Sequence, residues 1–454
     1  MNSPRNVELL APAGNFEKLK MALHYGADAV YLGMSDFSLR AKADNFDLEE
    51  LKRSIDYVHD SGKKAYITIN IFPKNGDMTP IKEHVQYLRE IRPDAVILAD
   101  AGVFDIVATE APEIDIHIST QANVTNYSAA RLWQRLGAKR IVLARELSFN
   151  EIKEIRDNVS LELECFVHGS LCMAYSGRCY ISSFISNRSG NEGECANSCR
   201  YNYTLMGEKK MLPGENLLPV SSDILPVQNS LPVSTDEGEF DYHVKEASRP
   251  DDYFPIYEDD KGTYLMSSHD LCMIEYIDEL LATGIDSLKI EGRMKGVNYA
   301  GGVVKVYREA LDRSLSGLAS DASLKNKWKN ELAMLSSRGF TTGLYLGSQP
   351  DQDYNHDQPR YLKQSHDFVG ILGEINGNEA RLYLRHNLTP GDSLSFLSPG
   401  IEDRPFTVLF VKNESGRELD IARNGETVII PVPEGVRVND LVRREINQLK
   451  EAAK

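Results

Sequence analysis

Residues 8–33, ELLAPAGNFEKLKMALHYGADAVYLG, contain the pattern on which the first part of the chain is built. Glu8–Ala13 is short and apolar, as a buried strand would be. Phe16–Tyr25 follows with apolar residues at helical spacing, and Ala29–Gly33 is again short and apolar. A strand, a helix and a second strand in this order form the repeating unit of a parallel sheet.

The same alternation continues beyond this segment. Helical patterns occur at Leu48–Ser61, Ile81–Ile91 and Ser128–Leu136. Further strands are predicted at Ala65–Asn70, Ala95–Ala99, Asp115–Thr120, Arg140–Ala144 and Leu161–Val167, and an eighth at Ser287–Glu291. Eight such units favour a closed barrel, because a doubly wound sheet usually has fewer strands. The predicted fold class is therefore α/β, a TIM-like (β/α)₈ barrel.

The pattern changes after Arg313, where β signals come to dominate. We expect the barrel to occupy residues 1–315, with an excursion at about 201–262 that is rich in turn formers and acidic residues. A helical linker is predicted at 316–347, and a small antiparallel β-barrel or sandwich at 348–454. Within that β domain, Asn376–Gly377 predicts a hairpin with a type I′ turn. The predicted strands are Phe368–Ile375, Glu379–Arg385, Ser393–Leu397, Phe406–Val411, Glu418–Ala422 and Thr427–Val432.

Composition and charge narrow the class of protein. Of the 454 residues, 42% are hydrophobic and 26% charged, which is ordinary for a globular protein. The sequence has no run of eighteen apolar residues, and its first residues lack the features of a signal peptide. We therefore expect a cytoplasmic protein with no membrane span. The net charge of −16 argues against non-specific binding of nucleic acid, because phosphate contacts require Lys and Arg.

Five of the six cysteines lie close together in ECFVHGSLCMAYSGRCYISSFISNRSGNEGECANSCRYNY, residues 164–203. From Cys172 the spacing is C-x6-C-x15-C-x3-C, without the short C-x2-C pairs typical of zinc knuckles. In a reducing compartment such cysteines are ligands more often than disulfides. Four thiolates at irregular spacing after a strand favour an iron–sulfur cluster, with zinc as the alternative. The predicted ligands are Cys172, Cys179, Cys195 and Cys199.

Two cysteines have a plain structural interpretation. Cys165 lies inside the apolar strand LECFV, where a free thiol acts as a small buried hydrophobe. Cys272 lies in SSHDLCMIEYIDELL, which we interpret as the start of an amphipathic helix. It competes with Cys199 for the fourth ligand position, and we favour Cys199 because it follows Cys195 by four residues.

Polar residues cluster at the predicted carboxyl ends of the barrel strands, where a (β/α)₈ barrel carries its chemistry. Arginine and lysine there would bind an anionic small molecule, and an imidazole would transfer a proton. The alternative for each is a structural ion pair. The predicted catalytic residues are His168, Arg145, Glu291 and Arg293, and the predicted ligand-binding residues are Arg145, Arg178, Lys289, Arg293, Gln121 and Asn123.

Several of these segments resemble one known family. FVHGSLC, SGRC and the serines at 182–183, together with ELLAPAGN, GADAVYLG, STQANVTN and SLKIEGRMK, resemble the collagenase-like peptidases, family 32 of the peptidases of unassigned mechanism. The resemblance covers nearly the whole chain. FVHGSLCMAYSGRC, GECANSCRYNY and the closing β domain are most similar to the bacterial tRNA hydroxylation branch of that family.

That resemblance implies an activity. Members of the branch form 5-hydroxyuridine at the wobble position of tRNA and are thought to take oxygen from prephenate without O₂. Related members that hydroxylate ubiquinone precursors carry a 4Fe-4S cluster on four cysteines, which supports Cys172, Cys179 and Cys195; the fourth ligand varies between branches. Prephenate is a dicarboxylate and suits an arginine-rich barrel mouth. The expected partners are thus tRNA, docked with the help of the β domain, and prephenate; the residues leave the oligomeric state open.

Three other functions compete with tRNA hydroxylation. The family name suggests proteolysis, but the sequence has neither an HExxH helix nor a GxSxG elbow. A Cys–His peptidase would have to pair Cys172 with His168, only four residues away. The remaining alternatives are hydroxylation of another RNA or a quinone precursor, and a non-catalytic protein with a structural metal.

Overall fold

The computed structural model describes residues 7–34, 46–171, 176, 242–246, 249–259, 262–264, 269–335, 339–347, 366–401 and 404–446. Of 242–264 only the backbone strands are described. The statements below refer to these residues.

Eight parallel strands close into a barrel. In order around the barrel, β1 to β7 are each paired with the next, and β12 pairs with both β7 and β1. The strands are β1 Glu8–Ala13, β2 Ala29–Gly33, β3 Lys64–Ile69, β4 Ala95–Leu98, β5 Asp115–Ile118, β6 Arg140–Val142, β7 Glu162–Ser170 and β12 Ser287–Ile290. The predicted (β/α)₈ barrel is confirmed, including the distant eighth strand.

Helices cover the outside of the barrel. Most begin at a capping side chain; Asn15, Asp47 and Ser148, for example, each accept a backbone N–H of the first turn. Their apolar faces pack on the strands to form one large core. The helices are α1 Phe16–His24, α2 Leu48–Asp60, α3 Met78–Ile91, α4 Ala101–Glu110, α5 Tyr127–Leu136, α6 Phe149–Asn158, α7 Ile277–Ala282, α8 Val297–Leu315 and α9 Ala322–Ala333.

Strand β7 is longer than its neighbours and extends past the barrel. Its last residues pair antiparallel with β11, Asp270–Cys272, in the register Cys272 opposite His168. The prediction that Cys272 begins an amphipathic helix is therefore wrong. This segment forms a strand because it pairs with the end of β7, His168–Ser170. The helix α7 begins only at Ile277.

The excursion and the linker contain further elements. Residues 201–241 of the excursion lie outside the described residues, while β8 Tyr242–Glu246, β9 Arg249–Asp259 and β10 Gly262–Tyr264 form an antiparallel sheet. The segment predicted to be a helical linker includes α9 but also β13, Phe340–Thr341. This short strand pairs with β11 and so joins the sheet of the barrel.

A third sheet, which is antiparallel, forms the C-terminal β domain, as predicted. Its strand order is β17-β16-β20-β14-β15-β19-β18. The strands are β14 His366–Asn376, β15 Glu379–Leu384, β16 Ser393–Leu397, β17 Phe406–Thr407, β18 Lys412–Asn413, β19 Thr427–Pro431 and β20 Leu441–Glu445. Strand β20 was not predicted, and the predicted strand Glu418–Ala422 is wrong because this segment makes only isolated bridges.

The hairpin between β14 and β15 differs in detail from the prediction. Asn376 pairs with Glu379, so the loop residues are Gly377 and Asn378. Positive φ occurs at Gly377 (65°) but not at Asn378. A type I′ turn requires positive φ at both loop residues, so the predicted turn type is wrong.

The β domain packs directly on the barrel. The hydroxyl of Tyr25, at the end of α1, donates to the carbonyl of Leu397 (2.6 Å) and accepts from the backbone N–H of Leu441 (2.8 Å). Both leucines belong to the large core of the barrel. Gly301 of α8 permits this approach, since a Cβ there would lie 2.6 Å from Leu441.

Candidate active site at the barrel mouth

A column of charged side chains extends from the amino-terminal ends of the barrel strands into the barrel. Arg140 of β6 bonds to Glu8 of β1 (2.5 Å), Glu162 (2.7 Å) and Glu164 (2.9 Å) of β7. Glu164 also accepts from the ammonium of Lys289 on β12 at 2.9 Å. Glu164 has no exposed surface. Burial favours its neutral form, but Lys289 and Arg140 hold its pKa below the usual range.

An aromatic layer surrounds Lys289 at the level of the mouth. Its Nζ lies 4.5 Å from the ring centroid of Tyr31 on β2 and 5.5 Å from that of Phe166 on β7. The guanidinium of Arg145 also lies over the ring of Phe166, 3.9 Å from its centroid. It donates a hydrogen bond to the carbonyl of Ser170 (2.7 Å). Such cation–ring contacts are stronger where water is excluded.

Arg293 and Glu291 complete this side of the mouth. Arg293 is 3% exposed and donates to the hydroxyl of Thr68 at 3.1 Å. Glu291 accepts from the Tyr31 hydroxyl at 3.2 Å. Gly14, in the first βα loop, allows the chain to approach closely, because a Cβ there would lie 2.2 Å from the carbonyl oxygen of Arg293.

Three polar atoms at the ends of β5 and β6 are buried and have no hydrogen-bond partner among the described residues: Nε2 of Gln121, Oδ1 of Asn123 and Nε of Arg145. The Gln121 side chain is held by Asn70 and Ser119, each 2.8 Å from its Oε1. Buried polar groups are almost always satisfied, so these atoms are candidate contacts for a ligand or water. All three belong to residues predicted to bind a small molecule.

His168 does not face the mouth. The pairing of β7 with β12 skips Val167, so a β-bulge reverses the alternation after Phe166. The imidazole is 2% exposed and lies among the rings of Tyr299, Tyr307 and Phe340, with Nδ1 3.3 Å from the Tyr307 hydroxyl. Burial lowers the pKa of His168 to about 3, and nearby Asp270 offsets this only in part. The ring is therefore neutral at pH 7, and its catalytic role stays a prediction.

The two described cysteines are buried in the core. Cys165 is 1% exposed, as expected for a packing residue. Cys272 is 6% exposed, lies 3.9 Å from the Tyr307 hydroxyl, and has its pKa raised to about 11 by burial. This setting favours the protonated thiol when no metal is bound, and the choice of Cys199 as the fourth ligand stays a prediction.

The four predicted metal ligands Cys172, Cys179, Cys195 and Cys199, and also Arg178, lie outside the described residues. Within the described part, no group of three His, Cys, Asp or Glu side chains is arranged to hold a metal ion. Ser176, between Cys172 and Cys179 in the sequence, is described. Its backbone N–H and hydroxyl bond to Glu146 (2.9 and 3.1 Å), at the end of β6.

Sequence reasoning did not single out the partners of the predicted residues. These partners all lie within barrel strands, where residue type indicates only that a strand is present: Glu164, Arg140, Tyr31 and Phe166. One signal was present: a glutamate amid the apolar residues of LECFV needs a buried cation. Nothing in the sequence identified Lys289 as that cation.

None of the described helices is long and apolar enough to cross a membrane.

Two family models match the chain. Peptidase family U32 matches residues 14–355, and the peptidase family U32 C-terminal domain matches residues 364–443. The first match covers the barrel from the residue after β1 onward, and the second spans most of the β domain.

Proteins similar over almost their full length carry two kinds of name. The chain is 38% identical to tRNA hydroxylation protein P of Escherichia coli (strain K12), over 95% of each chain. It is 36% identical to tRNA hydroxylation protein P of Haemophilus influenzae, over 95% of this chain and 94% of the other. It is 29% identical to a collagenase of Porphyromonas gingivalis, over 96% and 97%.

Proposed function

This chain belongs to the peptidase U32 family, and on that premise we propose that it hydroxylates tRNA, forming 5-hydroxyuridine at the wobble position. The observation that carries the proposal is the similarity to tRNA hydroxylation protein P, which covers 95% of both chains. Similarity of this extent includes the barrel, the cysteine segment and the β domain together.

The geometry of the mouth supports a carboxylic acid such as prephenate as the oxygen donor. Replacing the C5 hydrogen of uridine by a hydroxyl is a two-electron oxidation and needs an oxidant that supplies oxygen. Arg145, Lys289 and Arg293 bring three cations to the mouth, and guanidinium groups bind carboxylates in bidentate fashion. The buried Nε2 of Gln121 adds a donor in need of an acceptor.

We propose further that Cys172, Cys179, Cys195 and Cys199 hold a 4Fe-4S cluster. Their spacing and softness as ligands support iron, and the burial of Cys165 and Cys272 in the core is what packing residues would show. Bound there, a cluster would supply one-electron redox chemistry. The hydrogen bonds of Ser176 to Glu146 attach this segment to the rim of the barrel, beside Arg145 in the sequence.

The RNA substrate is supported by the relatives rather than by charge. The net charge of −16 means that the protein as a whole repels the tRNA phosphates. Binding of tRNA therefore requires a local surface rich in Lys and Arg. A cytoplasmic location is part of the same proposal.

Nucleoside mass spectrometry of bulk tRNA from a deletion strain tests the function. Cells grown without oxygen should lose 5-hydroxyuridine and its derivatives, because a hydroxylation route that uses O₂ is then silent. The intact gene and Cys165→Ala should restore the nucleoside, whereas Cys179→Ala should not. Unchanged tRNA in the anaerobic deletion strain would contradict the proposal and direct attention to ribosomal RNA and quinone precursors.

Peptide cleavage is the second candidate, favoured by the collagenase among the relatives. The surroundings of His168 argue against it, because an enclosed, neutral imidazole 2% exposed is poorly placed to activate a thiol for a peptide. Collagen cleavage by metal-free protein, abolished by cysteine alkylation, would reverse this preference.

A further inference from the structure

We propose that Glu164 is a positioning residue, which holds the Lys289 ammonium extended and charged at the base of the barrel mouth as a contact for a ligand carboxylate. The inference deepens the proposed function and rests on it, since it concerns how the oxygen-donor acid is bound.

The contacts of Lys289 leave part of its binding capacity unused. An ammonium has three N–H donors, and within the described residues Lys289 makes one hydrogen bond, to Glu164. The ring faces of Tyr31 and Phe166 flank the ammonium below the rim. A lysine stem is flexible, so an anion on the barrel axis is needed to fix the head group.

Glu164 is shared between two cations, which explains why it can hold Lys289 in place. One carboxylate oxygen accepts from Lys289 (2.9 Å) and the other from Arg140 (2.9 Å). Arg140 is in turn bonded to Glu8 at the opposite wall. The carboxylate of Glu164 therefore cannot swing toward the mouth without breaking buried charged hydrogen bonds, which is costly.

The charge of Lys289 depends on this pairing. Burial lowers its pKa, and Glu164 counteracts the effect. The other charged groups that act on it are Glu291, which directly follows β12, and Arg140 on β6; Tyr31 on β2 presents a neutral ring. With Glu164 neutralised, Arg140 would remain as a nearby positive charge and favour the neutral amine.

Titration calorimetry with prephenate, on the full-length protein between pH 6.5 and 9, tests the proposal. Glu164→Gln keeps the shape of the side chain and removes its charge. We expect it to weaken prephenate binding about tenfold at the alkaline end of this range, because a neutral Lys289 amine no longer makes a charge-assisted hydrogen bond to the carboxylate. The loss should become smaller as the pH falls, because a larger share of Lys289 is then protonated.

Glu162→Gln is the matched control. Glu162 also bonds Arg140 (2.7 Å), but its hydrogen bonds do not include Lys289. It should leave prephenate affinity within twofold of wild type at every pH. Equal weakening by the two variants, or a loss in Glu164→Gln that does not vary with pH, would overturn the positioning role while leaving the proposed function intact.

Two further measurements keep the outcomes separate. Wild-type protein that hydroxylates tRNA but does not bind prephenate would refute the donor in the proposed function. If Glu164→Gln does not fold, Lys289→Met replaces it. Methionine is uncharged and of similar length, so this variant removes the ammonium that Glu164 is proposed to hold. Lys289→Met should bind prephenate at least tenfold more weakly with no pH dependence over this range, and unchanged affinity would overturn the inference.

Discussion

The barrel and the β domain are built around interiors of opposite character. The axis of the barrel carries buried Arg140, Glu164 and Lys289, with His117 stacked edge-on against Tyr66 at 4.7 Å. The core cluster of the β domain is apolar and includes Leu372, Leu382, Val428 and Ile430. Both regions are equally well buried, so burial alone does not explain the difference.

The comparison separates what stabilises a fold from what a site requires. A buried ion pair is seldom more stable than well-packed apolar residues of the same volume. A barrel interior is normally filled by branched apolar side chains. The charged column is therefore best explained by the need to present Lys289 and the arginines at the mouth, whereas the β domain contributes stability and a surface.

The largest expected effect comes from Arg140→Met. This change leaves Glu8 and Glu164 without their shared cation, and breaking a buried pair costs about 3–5 kcal/mol. Urea unfolding of wild type and variant measures the loss. Arg381→Met is the control, because Arg381 is 46% exposed in a 3.4 Å pair with Glu374 and should change stability by about 0.5 kcal/mol or less. A loss below about 1 kcal/mol for Arg140→Met would mean that the column is solvated.

Next in size is Leu382→Ala in the core of the β domain. Leu382 is fully buried, and truncation there should cost about 2–5 kcal/mol, through lost apolar contact and the cavity left behind. The effect should appear in unfolding of the β domain with prephenate binding retained. An equal loss of prephenate affinity would contradict the separation of the two regions.

Tyr25→Phe tests the junction of the two regions. It removes a hydroxyl that bonds Leu397 and Leu441, leaving a buried carbonyl and N–H unsatisfied, at a cost of about 2 kcal/mol. The unfolding transitions of barrel and β domain, followed by separate spectroscopic probes, should move apart. Coincident transitions with unchanged midpoint would show that the junction does not depend on this side chain.

The last effect is the smallest per unit of pH, and it is the pH dependence caused by His168. Its pKa is about 3 in the folded protein, below the value of an exposed histidine, so the unfolded chain binds more protons between these values. Its contribution to stability is complete above about pH 6.5 and is lost as the pH falls, by about 1.4 kcal/mol per pH unit. His168→Phe should flatten the acid limb of unfolding free energy against pH by that slope. An unchanged slope would mean that another group takes up the proton on unfolding, for example the buried His117.

Much of the fold was predictable because it depends on local patterns. Short apolar runs predicted the eight barrel strands, and apolar residues at helical spacing predicted helices such as α1 and α2. Errors arose where a distant partner decided the outcome. Asp270–Cys272 has helical neighbours, yet it forms a strand because β7 extends beyond the barrel and offers an edge.

The candidate site shows the same division. Arg145, Lys289, Arg293 and Gln121 were found at strand ends, and the structure brings them to one mouth. His168 has the same position in the sequence pattern, but one skipped residue in the pairing of β7 turns its ring to the outer wall.

The sequence by itself determined the class of fold, the β domain and the cysteine spacing, because periodicity and residue type record burial and ligand chemistry along the chain. Only the tertiary structure decided which charged side chains form ion pairs. Glu164 and Lys289 are 125 residues apart and meet because β7 and β12 close the barrel as neighbours. Hydrophobic periodicity specifies which face is buried, but the pairing of strands specifies what each buried group touches.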